Sequence, residues 1–490
     1  MNKGIINCLS LLSCLLFIAS CNSTNPDKKP VEVEDNVDPM EFFKVGEDYK
    51  LYPNVKEDVV NGFYDPFDTF NNENWSVGNG YWGLNNGGVS KDNLSLSEDG
   101  ELIFKGNGLY YSKNDIKSTG AYKDGRKCGS TIISKFGVGP GHYEVKMKVF
   151  PRQGSCTAFW TYSNRAVPGQ VDNDNHEIDI ELPGGSKSGK ITFKKALNTN
   201  WVTETAYDSV EYAISDVNKE AEYIAYNDNQ YHTFGFDWYT NPECVVYFCD
   251  GKITNVSNIF VPTLEGKLWL GVWFPNGFTG VPQFESDYMY VDYVKYNPFK
   301  DQEYTAFDPE VSVATTNTNV KVVSKKNANK ISNGDFEYAI NFTGSENYNE
   351  LGSRGWEFNK KVSEKQPLED VVNILPNIGT NEGNKCAAFV KDGGVLRQYI
   401  DSVYDNYSYN FSFDAKALNA NDNNSFVKVS FLNGGGESLK DEVFTILNKD
   451  TFNHFDKTIQ APIGTDMVKV EVRTSTGNKV IIDNVRLEHI

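Results

Sequence analysis

His176-Glu177-Ile178-Asp179-Ile180-Glu181-Leu182-Pro183-Gly184 sets three carboxylates at every second position, with isoleucines between them. Side chains alternate sides along a strand, so the three acids share one face and Ile178, Ile180 and Leu182 share the other. Carboxylates are almost never buried unpaired, whereas β-branched and aliphatic residues suit a packed surface. The stretch therefore predicts a strand between a hydrophobic interior and an acidic face that is not core.

The spacing can be set against chemistry. Four residues of strand span roughly 13 Å, and two glutamates each reaching about 4 Å inward bring their carboxyl groups to about 5–6 Å of each other. A retaining glycosidase needs about 5–5.5 Å, and an inverting one needs more. In such a pair one glutamate attacks the anomeric carbon and the other protonates the leaving oxygen. Three acids in one field cannot all ionise freely, so at least one pKa is pushed up, as a general acid requires. Taken alone, E-x-D-x-E also describes a strand with a solvated acidic face.

The surrounding chain narrows the choice. Cys128-Gly129-Ser130 through Ser134-Lys135-Phe136, and then Gly141-His142-Tyr143-Glu144-Val145-Lys146-Met147-Lys148, precede the acids. Ala158-Phe159-Trp160 stands just before them. Tyr231-His232-Thr233-Phe234-Gly235-Phe236-Asp237-Trp238, Val246-Tyr247-Phe248-Cys249-Asp250-Gly251 and Met289-Tyr290-Val291-Asp292-Tyr293-Val294 follow. These blocks, over roughly residues 60 to 299, resemble glycoside hydrolase family 16 in content and order, with Lys146 where arginine is usual. That family carries its catalytic acids on one strand as E-[ILV]-D-x-E, or with one extra residue before the last Glu; this chain has the unbulged form. The resemblance implies Glu177 as nucleophile, Asp179 as the residue that orients it and Glu181 as acid and base. It implies no cofactor, allows a structural calcium ion, and predicts no catalytic metal.

Outside the motif, 490 residues are too many for one ordinary core, so two folded domains with tails are expected. The formal charge of −19, with no Lys/Arg stripe, argues against a nucleic-acid partner. Met1 to Ser20 holds Lys3, an apolar run and a small-residue end, which reads as a secretory signal rather than a membrane span. Ile18-Ala19-Ser20-Cys21 resembles the bacterial lipobox, which implies lipidation of Cys21 and an outer-membrane lipoprotein of the cell envelope, held by its N-terminal lipid only. An ordinary signal peptide is the alternative. With Cys8 and Cys14 removed and Cys21 lipidated, Cys128, Cys156, Cys244, Cys249 and Cys386 remain. That odd set leaves at least one free thiol in a monomer, the expected state. Cys244 and Cys249 are expected on opposite faces of one strand.

Short alternating runs broken by Gly, Asn, Asp and Pro dominate from Phe63 to Phe299 and predict an all-β antiparallel sandwich. The resemblance makes it a concanavalin-like jelly roll with a sugar-binding groove. Flat apolar sugar faces call for aromatic platforms. Trp160, Trp273 and Trp201 are the candidates, with Trp238 and Trp269 assigned to core. His232 is carried as a substrate contact, although a packed structural role is an equal reading. Residues 331–490 hold Asn333-Gly334-Asp335-Phe336-Glu337, Gly355-Trp356 and Ile482-Asp483-Asn484-Val485-Arg486-Leu487. They resemble galactose-binding-like jelly rolls, so a second, smaller β-sandwich is expected, either a sugar binder or a spacer. The chain thus divides into a signal peptide (1–20), a flexible tether (21–50), a catalytic domain (51–300), a linker (301–330) and a carbohydrate-binding-module-like sandwich (331–490). The substrate expected is a β-linked polysaccharide, first a β-1,3/1,4-glucan. A β-galactan, transglycosylation in place of hydrolysis, and a non-catalytic surface glycan-binding lipoprotein are the alternatives.

Overall fold

Tyr143, Val145 and Met147 are fully buried while Glu144, Lys146 and Lys148, which alternate with them, are half-buried, and the same two-residue period runs through much of Ser286–Pro298 and Ser408–Leu418, whereas Ser130–Ser134 and Lys267–Trp273 are buried almost throughout. The computed structural model describes residues 37–490 except 83–86, 112–126, 186–192, 222, 224, 276–277, 326, 338–354, 359–371, 377–378, 381–385, 402, 404, 419–424 and 447–450. The signal peptide and Cys21 lie outside the described residues.

The alternating strands assemble into two stacked sheets. One has eight strands, in the order Tyr207–Ala213, Lys195–Thr203, Asp174–Pro183, Cys156–Arg165, Lys267–Trp273, Ser130–Ser134, Trp75–Gly78 and Thr315–Thr316. All of its pairings are antiparallel. The other, of nine strands, centres on Gly141–Lys148 between His232–Thr240 and Ser286–Pro298. Phe159, Ile178, Ile180, Leu268 and Leu270 from the first sheet and Tyr143, Val145, Phe234, Phe236 and Trp238 from the second fill the space between them. Burying one such aliphatic side chain is worth about 1.5–3 kcal/mol, so this core holds the acid strand rigidly from beneath.

The segment at 301–330, expected as a linker, lies along this sandwich. Thr315–Thr316 pairs antiparallel with Trp75–Gly78, and Lys321–Val323 pairs in parallel with Leu94–Ser97. Near the start of the described chain, Phe43 is buried against Tyr239 and Tyr52. Cys244 packs in that same outer cluster and Cys249 in the main core, on opposite faces of Glu243–Cys249.

Residues after 331 form two five-stranded sheets packed around Trp356, Phe411, Phe413, Val429 and Val470. Trp356 is core, with its indole N–H donating to the Asn333 carbonyl. This second sandwich meets the first through buried ions: Lys330 on Asp287 at 2.6 Å, and Arg152 on Asp401 at 3.0 Å and on Asp287 at 3.7 Å. Residues 38–490 make up one compact unit.

Candidate active site

The acid strand, Asp174–Pro183, turns Ile178, Ile180 and Leu182 into the core and Glu177, Asp179 and Glu181 to the opposite face. Its pairing is regular through all three acids. On one side Glu177, Asp179 and Glu181 face Tyr162, Trp160 and Ala158; on the other they face Trp201, Thr199 and Leu197. The register shift in this strand lies between Asp174 and Glu177, ahead of the acids. The expected unbulged arrangement is thus the one the backbone adopts.

Each acid has a different set of donors. Asn175 Nδ2 donates to Glu177 Oε2 at 3.0 Å, and Asp179 hydrogen-bonds to Glu177 from its other side in sequence. Trp201 Nε1 donates to Asp179 Oδ2 at 2.9 Å. The Cys156 thiol approaches Glu181 Oε1 at 3.6 Å. Glu177 and Glu181 are half-buried and Asp179 is buried. Desolvation pushes Glu177 up to about 7 against the Asn175 and Asp179 hydrogen bonds. Desolvation, then the Glu177 charge, pushes Glu181 up to about 7. Asp179 is driven well above the usual carboxylate range by burial and then by both glutamates, the direction that favours its donating the hydrogen bond it shares with Glu177.

Two expected platforms lie beside the acids and one does not serve as expected. Trp201 is half-buried and stacks near Tyr207, with centroids 4.3 Å apart. Trp273 is half-buried on the same face as the acids. Trp160 also lies on that face but is only 5% exposed, because Trp82 covers it at 5.9 Å in a near-parallel stack and Trp269 flanks it at 5.3 Å. A ring sealed on both sides offers no face to a sugar, so Trp160 is a support for other rings and not a platform. Trp269, assigned to core, is buried, yet it sits in this satellite cluster on the acid side of the sheet and not between the sheets.

His232 is the second correction. It lies on the nine-stranded sheet, 4% exposed, with Nδ1 2.8 Å from Asp250 and Nε2 3.1 Å from Asp228. Burial disfavours its charge, but these two acids outweigh burial and hold its pKa up to about 9. Its role is a packed ion-pair hub, remote from the acid face. Among the described residues no three His, Cys, Asp or Glu side chains are placed to hold a metal ion.

Trp82, Asn175 and Cys156 are site residues that sequence reasoning passed over. Trp82 comes from a connecting segment rather than a sheet strand, and it touches Trp160, Trp269 and Trp273. Asn175 and Cys156 lie just ahead of the quoted His176–Gly184 and Ala158–Trp160 stretches, and only register reveals what their side chains reach.

The model of the family described as "Glycosyl hydrolases family 16" matches residues 85–264. A β-glucanase of Paenibacillus macerans is 30% identical over 248 residues, covering 48% of this chain and 87% of that protein. A β-glucanase of Bacillus subtilis (strain 168) is 29% identical over 243 residues, covering 48% of this chain and 86% of that protein. Among solved structures, the Bacillus licheniformis β-glucanase aligns at 22% identity with a TM-score of 0.37, over 48% of this chain and 97% of that one. With the acids on one regular strand and relatives matched over most of their length, this chain is a glycoside hydrolase and belongs to glycosyl hydrolases family 16.

Proposed function

We propose that the chain is a retaining endo-β-glycanase that cuts internal linkages of a β-1,3/1,4-glucan, with Glu177 as nucleophile, Glu181 as acid and base, and Asp179 as the group that orients Glu177. The observation that carries the assignment of roles is the asymmetry of donors around two chemically identical side chains. Among the described residues, Glu177 receives Asn175 and the Asp179 hydrogen bond, which favour its carboxylate, while Glu181 receives a thiol, a weak donor. Glu177 is therefore the group prepared to attack and Glu181 the one prepared to give up a proton. In the first step Glu177 forms a bond to the anomeric carbon while the bond to the leaving oxygen breaks and Glu181 protonates that oxygen. In the second, Glu181 takes a proton from water, whose oxygen displaces Glu177 from the sugar.

Among the described residues, two cations of the catalytic sandwich bear on the choice between a neutral glucan and a sulfated galactan. Arg165 is held by Asp174 at 2.6 Å, and the Lys127 ammonium donates to the Phe274 carbonyl at 2.7 Å. Neither is poised for a sulfated galactan. The relatives' name, β-glucanase, points the same way.

The test is digestion of lichenan, laminarin, xyloglucan, agarose and arabinogalactan, with products sized and the anomer first released identified by NMR. The proposal expects oligosaccharides from lichenan in the β configuration. Products from agarose or arabinogalactan alone, or an α anomer, would overturn it.

A further inference from the structure

Cys156 begins the strand beside the acids and has no solvent exposure. Ala158 stands directly across from Glu181 and Cys156 across from Pro183, so the thiol reaches Glu181 on the diagonal, with Sγ 3.6 Å from Oε1. On its other side Cys156 is paired with Trp273. A second acceptor, the Thr157 carbonyl, lies at 3.7 Å, but a carboxylate is the stronger acceptor once it is ionised.

The groups facing Glu181 are few. Glu177 and Asp179 lie on its own strand, Ala158 and Cys156 on one neighbour and Leu197 on the other. Among the described residues no lysine, arginine or histidine forms an ion pair with Glu181. Among the described residues the thiol is thus the donor that reaches the second glutamate, while Glu177 and Asp179 have donors of their own.

We propose that Cys156 is the positioning residue for Glu181: its S–H occupies Oε1, so the proton delivered to the leaving oxygen is carried on Oε2. This rests on the reading of Glu181 as acid and base. Burial and the Glu181 charge hold the thiol well above its ordinary pKa, so it stays a donor throughout the pH range of activity. A donor to Glu181 stabilises its ionised form. Removing it raises the pKa of Glu181 and moves the basic limb of activity to higher pH; a stronger donor moves that limb to lower pH.

The experiment compares kcat/KM against pH for the full chain and for Cys156→Ala, Cys156→Ser and Glu181→Ala. Two substrates are used, lichenan and a dinitrophenyl cello-oligosaccharide whose leaving group needs no proton. Cys156→Ala is expected to shift the basic limb on lichenan up by roughly half a pH unit and to lower kcat roughly 3–10-fold with KM unchanged. Cys156→Ser, nearly isosteric and a better donor, is expected to shift the limb down. On the activated substrate both variants should match the parent in kcat/KM. A basic limb that stays put in Cys156→Ser, or an equal loss on both substrates, overturns the role of Cys156 while leaving Glu181 as the acid. Full activity of Glu181→Ala on lichenan would instead remove the acid/base reading and this inference with it.

Discussion

Glu177 and Glu181 are the same side chain four positions apart, and what separates them is the company each keeps. In the proposed roles the carboxylate of Glu177 is the form that attacks, so activity is expected to fall when pH drops low enough to protonate it. In the same roles the acid form of Glu181 is the one that protonates the leaving oxygen, so activity is expected to fall when pH rises high enough to ionise it. Both groups are pushed up toward 7 by desolvation, and because they interact, the two limbs belong to the pair. The kcat/KM profile on lichenan should therefore be a bell centred near neutrality rather than near pH 5, where unperturbed carboxylates would place it; stopped assays across buffers check this. At this scale the sequence was informative about the acids, because alternation along a strand is local. It was not informative about Trp160 or His232. Whether Trp160 is open depends on Trp82, some eighty residues away in the chain, and the partners of His232, Asp228 and Asp250, are joined to it by a loop and a neighbouring strand.

The acid strand works as an element because its two faces have different tasks. Ile178 and Ile180, 0% and 1% exposed, fix the strand to the core so that the opposite face can hold three neighbouring acids without shifting. Ile180→Ala leaves a cavity beneath Asp179 and Glu181 and should lower unfolding free energy by about 2–5 kcal/mol, read from urea denaturation of the full chain. It should also lower kcat, since a strand free to move by a fraction of an ångström no longer holds both glutamates at one anomeric carbon. Unchanged stability would mean that the strand is held from elsewhere. The strand, its direction of facing and its unbulged register were all legible in Glu177 to Glu181. The tryptophan stack was not, because Trp82, Trp160, Trp269 and Trp273 come from three separate stretches of chain.

At the scale of the whole molecule, two β-rich regions were legible in composition and alternation, but the junction between them was not. Arg152, Asp287, Lys330 and Asp401 are scattered through the sequence, and only the fold brings them together. Lys330 and Arg152 are 5% and 2% exposed, so each depends on its partners for charge compensation. Breaking a buried pair by removing one member costs about 3–5 kcal/mol, since the other is left uncompensated. Asp287→Ala should therefore destabilise the junction by about that amount and turn one thermal transition into two in calorimetry. The kcat on lichenan, set by the acid strand, should be unaffected at temperatures below the first transition. A single unshifted transition would show that the sandwiches are coupled by something other than these ions.

The central claim is that one strand supplies both the attacking and the protonating glutamate. It is tested most directly by incubating the full chain with a 2-deoxy-2-fluoro cello-oligosaccharide bearing a dinitrophenyl leaving group, then digesting the trapped protein and mapping the adduct by mass spectrometry. The account predicts one sugar per chain, ester-linked to Glu177. An adduct on Glu181, on Asp179 or on a residue outside the acid strand would contradict it.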